Sequence, residues 1–237
     1  MGRIFEKRKE KMFKRYAKMA KAFTKIGREI AIAVKLGGPN PESNPRLRMV
    51  LQNAKAVNMP KANIEAAIKR ATEKNAANYE EVIYEAYAPH GVPLLIETTT
   101  DNPTRTVANI RMHLNRGNGT LGTSGSVSFM FERKGIFKID ATGHNKEDLE
   151  LQLIDWGAED IEWDDDSNEV IVTTAFTDFG KMQHALEENK INVLETNKVF
   201  VPTNTVELSE EQQKDVLALI ERLEEDDDVV AVYHNMA

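Results

Sequence analysis

LGGPNPESNPRLRMVLQNAKAVNMPKANIEAAIKR, residues 36–70, is the stretch whose reading decides the fold of the N-terminal part of the chain. Asn44-Pro45 reads as an N-cap followed by the first helical residue, because proline has no N–H to lose there and its φ is already helical. Leu47, Val50, Leu51, Ala54 and Val57 then recur at helical spacing, which gives that helix one apolar face. Asn58, Met59 and Pro60 interrupt it. A second short helix follows, with Ile64, Ala67, Ile68 and Ala71 on its inner face and Lys61, Lys69 and Arg70 outside. Two short helices on so tight a link cannot each bury a face alone, so both are expected to pack against a third helix, the one just before them.

That preceding helix is predicted from about Ile4 to Lys35. Phe5, Met12, Tyr16, Met19, Phe23, Ile26 and Ile30 form an apolar stripe at steps of three, four or seven. Lys7, Lys11, Lys14, Lys18, Lys21, Lys25 and Arg28 recur at steps of four and three on the roughly opposite face. The basic stripe is about 30 Å long at 1.5 Å per residue. Solvated helix faces normally mix signs for i,i+4 pairing, and this one does not, which favours a polyanion ligand over plain solvation. An anionic membrane surface would also suit a basic amphipathic helix. Here, however, the apolar face is needed to pack residues 45–72. Gly37-Gly38-Pro39-Asn40-Pro41 ends the helix.

Charge divides the chain. The net charge is −7 over 237 residues, but residues 1–75 carry 19 Lys and Arg against 6 Asp and Glu, a net of +13. Residues 76–237 carry 12 against 32, a net of −20. A basic head on an acidic body points to contact with nucleic acid through the head, with the body repelling it. The candidate contacts are the seven stripe cations together with Arg46, Arg48, Lys61, Lys69 and Arg70.

After a polar linker at 75–78 the pattern turns to β. Residues 82–88 and 94–100 read as strands, and Asn102-Pro103 opens a helix with Val107, Ile110, Met112 or Leu114 inward, which Gly117 stops. A further strand is expected at about 127–131. Residues 135–201 read as strand, helix, strand, turn at Asp166-Ser167-Asn168, strand, helix, strand, the ferredoxin-like β-α-β-β-α-β order. Ser209 caps a last helix with Val216, Leu219, Ile220 and Leu223 inward, and residues 229–233 form a last strand, with a short one at 205–207 also in view. The expected architecture is α+β in three domains. Residues 1–77 form a basic three-helix head, 78–131 with 203–237 a discontinuous α+β middle domain, and 132–202 an inserted ferredoxin-like domain.

The motifs carry a resemblance as well. Leu36-Gly37-Gly38, Asn44-Pro45-Arg46-Leu47-Arg48, Asn58-Met59-Pro60-Lys61, Tyr84-Glu85, Pro89-His90-Gly91, Asp101-Asn102, Gly125-Ser126-Val127 and Val232-Tyr233-His234-Asn235 together resemble the YebC/PmpR family. That family includes the mitochondrial translational activator of cytochrome oxidase. The resemblance covers nearly the whole chain and implies the same three-domain plan. It implies either a DNA-binding transcriptional regulator or a translation factor on ribosomal RNA and the ribosome. Members usually open with a Gly-His-Ser-Lys-Trp-like segment; Met1-Gly2-Arg3-Ile4-Phe5 lacks the His and the Trp.

Other chemistry is weakly supported. Gly117, Gly119 and Gly122 match G-x-G-x-x-G, but they follow a helix and precede a strand, the reverse of a dinucleotide fingerprint. A loop whose amides approach a phosphate is the remaining functional reading. Asp164-Asp165-Asp166 and the acidic run 224–228 lack the pattern of a calcium loop and read as solvated charge. The five histidines are scattered, and Trp156 and Trp163 read as core. There are no cysteines, no nucleophile motif, and no apolar run of membrane-spanning length. The expectation is a cytoplasmic non-enzyme with no cofactor, no metal and no membrane partner. A small-ligand sensor built on the ferredoxin-like domain has only the fold in its favour.

Overall fold

Helix α1 (Arg3–Gly37) ends where Gly38 takes φ +82, a conformation that glycine adopts without a Cβ clash. The computed structural model describes residues 3–164 and 167–237, with side chains described from Met19 onward within α1. Asn44 explains how the chain turns from α1 into α2 (Pro45–Ala56). Its side-chain amide donates to the carbonyls of Ala33 and Gly38 at 2.7 and 2.8 Å, while its Oδ1 accepts from the Leu47 N–H at 3.0 Å. One buried side chain therefore caps the end of one helix and the start of the next. Helix α3 (Lys61–Thr72) follows. Ile26, Ile30, Ala33 and Val34 of α1 close on Leu47, Val50 and Ala54 of α2 and on Met59 and Ala67, the packing expected from their spacing.

The rest of the α+β fold holds two antiparallel four-stranded sheets. Strands β1 (Glu80–Tyr87) and β2 (Pro93–Thr100) form a hairpin, and helix α4 (Pro103–Arg116) leads to the two-residue β3 (Thr120–Leu121). Strand β4 (Phe131–Asp140) enters the second sheet. Helix α5 (Lys146–Asp155), β5 (Ala158–Asp164), β6 (Glu169–Ala175), α6 (Phe179–Glu188) and β7 (Asn192–Pro202) complete that sheet. Helix α7 (Glu210–Glu224) and β8 (Val229–His234) then return to the first. The orders are β3-β1-β2-β8 and β5-β6-β4-β7. The second is the ferredoxin-like arrangement, with the first and third strands of the unit adjacent.

Each sheet buries one face under two helices. Ala86, Leu94 and Ile96 pack beneath Ile110 and Leu114 of α4 and Leu219 and Leu223 of α7. Phe137, Ile139, Val170 and Val172 pack beneath Leu149, Leu153, Met182 and Leu186 of α5 and α6. Strand β2 is covered on both faces, so its sequence is a run rather than an alternation. Met112 points outward on α4, where Ile110 and Leu114 fill the inner face. Trp156 and Trp163 pack at the edge of the second core, half-buried. The expected turn at residues 166–168 falls partly outside the described residues, as do Asp165 and Asp166 of the acidic triplet; Asn168 turns with φ +54. At 205–207 the structure has a single bridge, Val206 to Met236.

Two elements differ from expectation, the first being the two-residue β3, which lies within the glycine loop. Residues 127–131 are not a strand: Ser128–Met130 is a single 3-10 turn, and β4 starts only at Phe131. The carboxylate of Glu85 is the cause. It accepts from the N–H groups of Gly125, Val127 and Ser128 at 2.6, 2.6 and 2.9 Å, so two consecutive amides converge on one oxygen instead of alternating between strands. Val127 and Phe131 sit with Leu95 in a small cluster of their own.

The head is docked on both sheets. Asn53 of α2 exchanges two hydrogen bonds with the backbone of Thr196 in β7, at 2.8 and 3.0 Å, Arg46 pairs with Glu81, and Arg48 reaches Glu187 at 3.3 Å. Between these contacts lies a cavity of about 560 Å³ walled by α1, α2, β1, β2, β4, β7 and β8. Glu29 faces it without a hydrogen-bond partner among the described residues. Burial, then the charge of Glu97, pushes the Glu29 carboxyl up to about 7; Glu81 adds to this, and Arg46 and Lys25 oppose it. The unfolded chain releases that proton near 4.5. Between those values the folded state holds a proton that the unfolded state lacks, so stability falls as pH rises through the window. Glu29→Gln removes that slope. In urea titrations at about pH 8 the variant should be more stable by about 2 kcal/mol, a figure already reduced because Glu29 is only partly buried. Equal pH slopes in the two proteins would refute the assignment.

Candidate nucleic-acid interface

Of the stripe on α1, the side chains of Lys7, Lys11, Lys14 and Lys18 lie outside the described residues. The next three cations face the acidic body. Lys21 Nζ donates to the Glu225 carbonyl at 3.0 Å and Lys25 Nζ to the Val230 carbonyl at 2.9 Å. Burial lowers the pKa of the Lys25 ammonium, with Glu224 opposing. Arg28 donates to the carbonyls of Thr99 and Asp227 at 2.9 and 2.6 Å, and to Asp228 Oδ1 at 2.9 Å. The helical spacing places all three on one face, but that face meets the α7–β8 turn and the adjoining ends of β8 and β2, whose carbonyls and carboxylates are natural partners for cations.

Asp228 is the centre of this joint. Its side chain is 4 % exposed and also accepts from Arg105 at 2.8 and 3.1 Å and from the Thr106 hydroxyl at 2.7 Å. Burial opposes ionisation, but the bonds from Arg105 and Thr106 and the charges of Arg28 and Arg105 outweigh it and hold the carboxyl below the ordinary aspartate range. The run 224–228 therefore includes a buried member, against the expectation of solvated charge throughout. A neighbour, Asp226, binds Asn109 at 3.0 Å.

Arg46 and Arg48 are half-buried. Besides its contact with Glu187, Arg48 donates to the carbonyls of Pro41 and Glu42 at 2.9 and 3.0 Å. The cations of α3 contrast with these. Lys61, Lys69 and Arg70 are exposed, and Lys61 has only Glu65 nearby, at 3.7 Å. Arg70 Nε reaches its own helix at the Ala66 carbonyl, 3.3 Å away. Lys69 and, beyond the helix, Lys74 have no ion pair among the described residues.

The glycine loop offers little to a phosphate. The N–H of Gly117 bonds to His113 and Leu114, that of Gly119 to Leu114, and that of Gly122 to Glu85. A Cβ on Gly119 would lie 2.9 Å from the Tyr87 carbonyl oxygen and one on Gly117 2.7 Å from Leu219, so both glycines are set by close packing.

Comparison with known proteins accounts for both halves. Residues 3–74 match the TACO1/YebC N-terminal domain, and residues 79–236 match the TACO1/YebC second and third domain. The chain belongs to the TACO1/YebC family. A "probable transcriptional regulatory protein" of Flavobacterium psychrophilum is 54 % identical over 236 residues, covering 100 % of this chain and 99 % of that one. One of the same name in Myxococcus xanthus is 51 % identical over 240 residues, covering 100 % of both. A conserved hypothetical protein of Aquifex aeolicus has a solved structure that superposes with a TM-score of 0.77 at 41 % identity. It covers 92 % of this chain and 90 % of that one.

For this TACO1/YebC chain, sequence reasoning passed over Lys74, an exposed cation near Lys69 and Arg70, and the joints that Asp228 and Glu85 form. Lys74 was legible as part of the head's positive charge. The other two were not, because nothing local distinguishes a carboxylate that will be buried. No helix of the described residues is long and apolar enough to cross a membrane.

Proposed function

We propose that this chain is a non-enzymatic, nucleic-acid-binding regulator of gene expression that contacts the phosphate backbone through its head. The observation that carries this reading is the exposed group Lys61, Lys69, Arg70 and Lys74, of which only Lys61 has an ion pair among the described residues, with Glu65 at 3.7 Å, while the body of the chain is acidic. Phosphate is the partner such a surface recognises, and the body keeps the duplex on that side. In sequence, Lys7, Lys11, Lys14 and Lys18 continue the same charge. Transcriptional regulation follows the names of the relatives.

A second reading, binding to structured RNA or the ribosome, is favoured by the engagement of the arginines. Arg28, Arg46 and Arg48 all hold groups of their own chain, leaving mainly lysine to face a ligand. Lysine binds phosphate as a point charge, whereas base reading relies on bidentate Arg, Asn or Gln. Discrimination among duplex sequences is therefore expected below the roughly 10³-fold of specific regulators.

The test measures fluorescence anisotropy on duplex DNA and on structured RNA across a salt series. Lys61→Glu, Lys69→Glu and Arg70→Glu together should weaken binding about a hundredfold and lower the salt slope by about three. Unchanged affinity would end the reading. Competition by ribosomes separates the two versions: a selected duplex that ribosomes do not displace leaves transcription standing.

A further inference from the structure

The cavity between the head and the two sheets holds charged groups that this chain does not pair. Arg133 of β4 lies with its guanidinium 4.2 Å from the Phe176 ring centroid and 5.6 Å from that of Phe200. Lys198 of β7 lies 5.8 Å from the same Phe176 ring and 4.7 Å from Phe179. Neither has a carboxylate within ion-pair distance among the described residues. Arg28, Arg46, Arg105, Lys134 and Lys138, by contrast, hold carboxylates. Burial, then the charges of Arg46 and Arg133, lowers the pKa of the Lys198 ammonium, with Glu81 and Glu97 opposing.

Carboxylates line the same cavity. Glu29 has no donor among the described residues, while Glu97 beside it accepts from the Tyr233 hydroxyl at 2.9 Å. An anion alone would satisfy Arg133 and Lys198 and leave Glu29 unmatched. An amine alone would do the opposite. A molecule with both groups satisfies all three positions, with Phe176 available to its carbon skeleton. The volume of about 560 Å³ is of the size that encloses a small metabolite.

We propose that the cavity between head and body binds a small zwitterion, with its carboxylate at Arg133 and Lys198 and its ammonium at Glu29. A free amino acid is the simplest member of that class. Because the three groups come from α1, β4 and β7, the ligand bridges the head and the second sheet and favours their docked arrangement.

The full chain is screened by thermal shift and then calorimetry against the proteinogenic amino acids at about 10 mM and neutral pH, a range that reveals millimolar binding. Glutarate serves as an anion without an amine and cadaverine as an amine without an anion. At least one amino acid should raise Tm and bind saturably, with both controls at least about tenfold weaker. Arg133→Met with Lys198→Met should abolish binding. Glu29→Gln should weaken the amino acid and leave glutarate unaffected, which keeps the test decisive if the double variant does not fold. No saturable amino-acid binding, equal binding of glutarate, or unchanged affinity in Glu29→Gln would each overturn the proposal.

Discussion

Replacing Asp228 with alanine should cost the chain about 3 kcal/mol of stability, the lower end of the range for breaking a buried ion pair. The carboxylate gathers Arg28 from the head, Arg105 and Thr106 from α4, and Thr100 at 3.3 Å from β2, so its loss leaves two guanidinium groups without their common anion. The lower end applies because Arg105 is half exposed and Arg28 keeps two carbonyls. Urea denaturation at neutral pH reads the loss directly. Arg28→Met should cost less, since Asp228 retains Arg105 and Thr106. The sign of the pH effect follows from the depressed carboxyl. Its contribution is complete above the unfolded value of 3.8 and disappears as pH falls through the lower folded value, so the Asp228→Ala and wild-type curves converge in acid. A midpoint for Asp228→Ala equal to wild type would mean that the joint adds nothing to stability.

Glu85→Ala should be nearly as damaging. The side chain is 8 % exposed and holds three backbone N–H groups of the 125–128 turn, and each amide left without an acceptor costs about 1 kcal/mol or more. The expected total is about 3 kcal/mol. Hydrogen exchange locates the effect: the amides of Gly125, Val127 and Ser128 should lose protection, while those of β6 should keep theirs. Glu85→Gln should fall between, because an amide side chain has one acceptor oxygen where the carboxylate has two. Burial raises the Glu85 carboxyl, but the bonds from Val127, Gly125 and Ser128 lower it further, and the net shift is downward. This contribution is therefore also present above the unfolded value of 4.5 and lost as pH falls through the folded one. Unchanged exchange at 125–128 would remove Glu85 from this role.

The sequence by itself determined the features that depend on near neighbours. The 3.6-residue spacing of Leu47, Val50 and Ala54, the Asn44-Pro45 cap and the β-α-β-β-α-β order each follow from contacts that repeat along the chain, so periodicity makes them visible. The charge of the head was equally plain. Only the tertiary structure decided what that charge meets. Lys21, Lys25 and Arg28 find their partners at Glu225, Val230 and Asp228, about two hundred residues away, and no spacing within α1 reports which face the body will cover. Residues 127–131 have a strand's composition, yet a carboxylate from β1 draws their amides into a turn. Electrostatic partners are chosen by proximity in the folded chain, and a charged residue's type is the same whether it ends in water, against a carbonyl or beside a cavity.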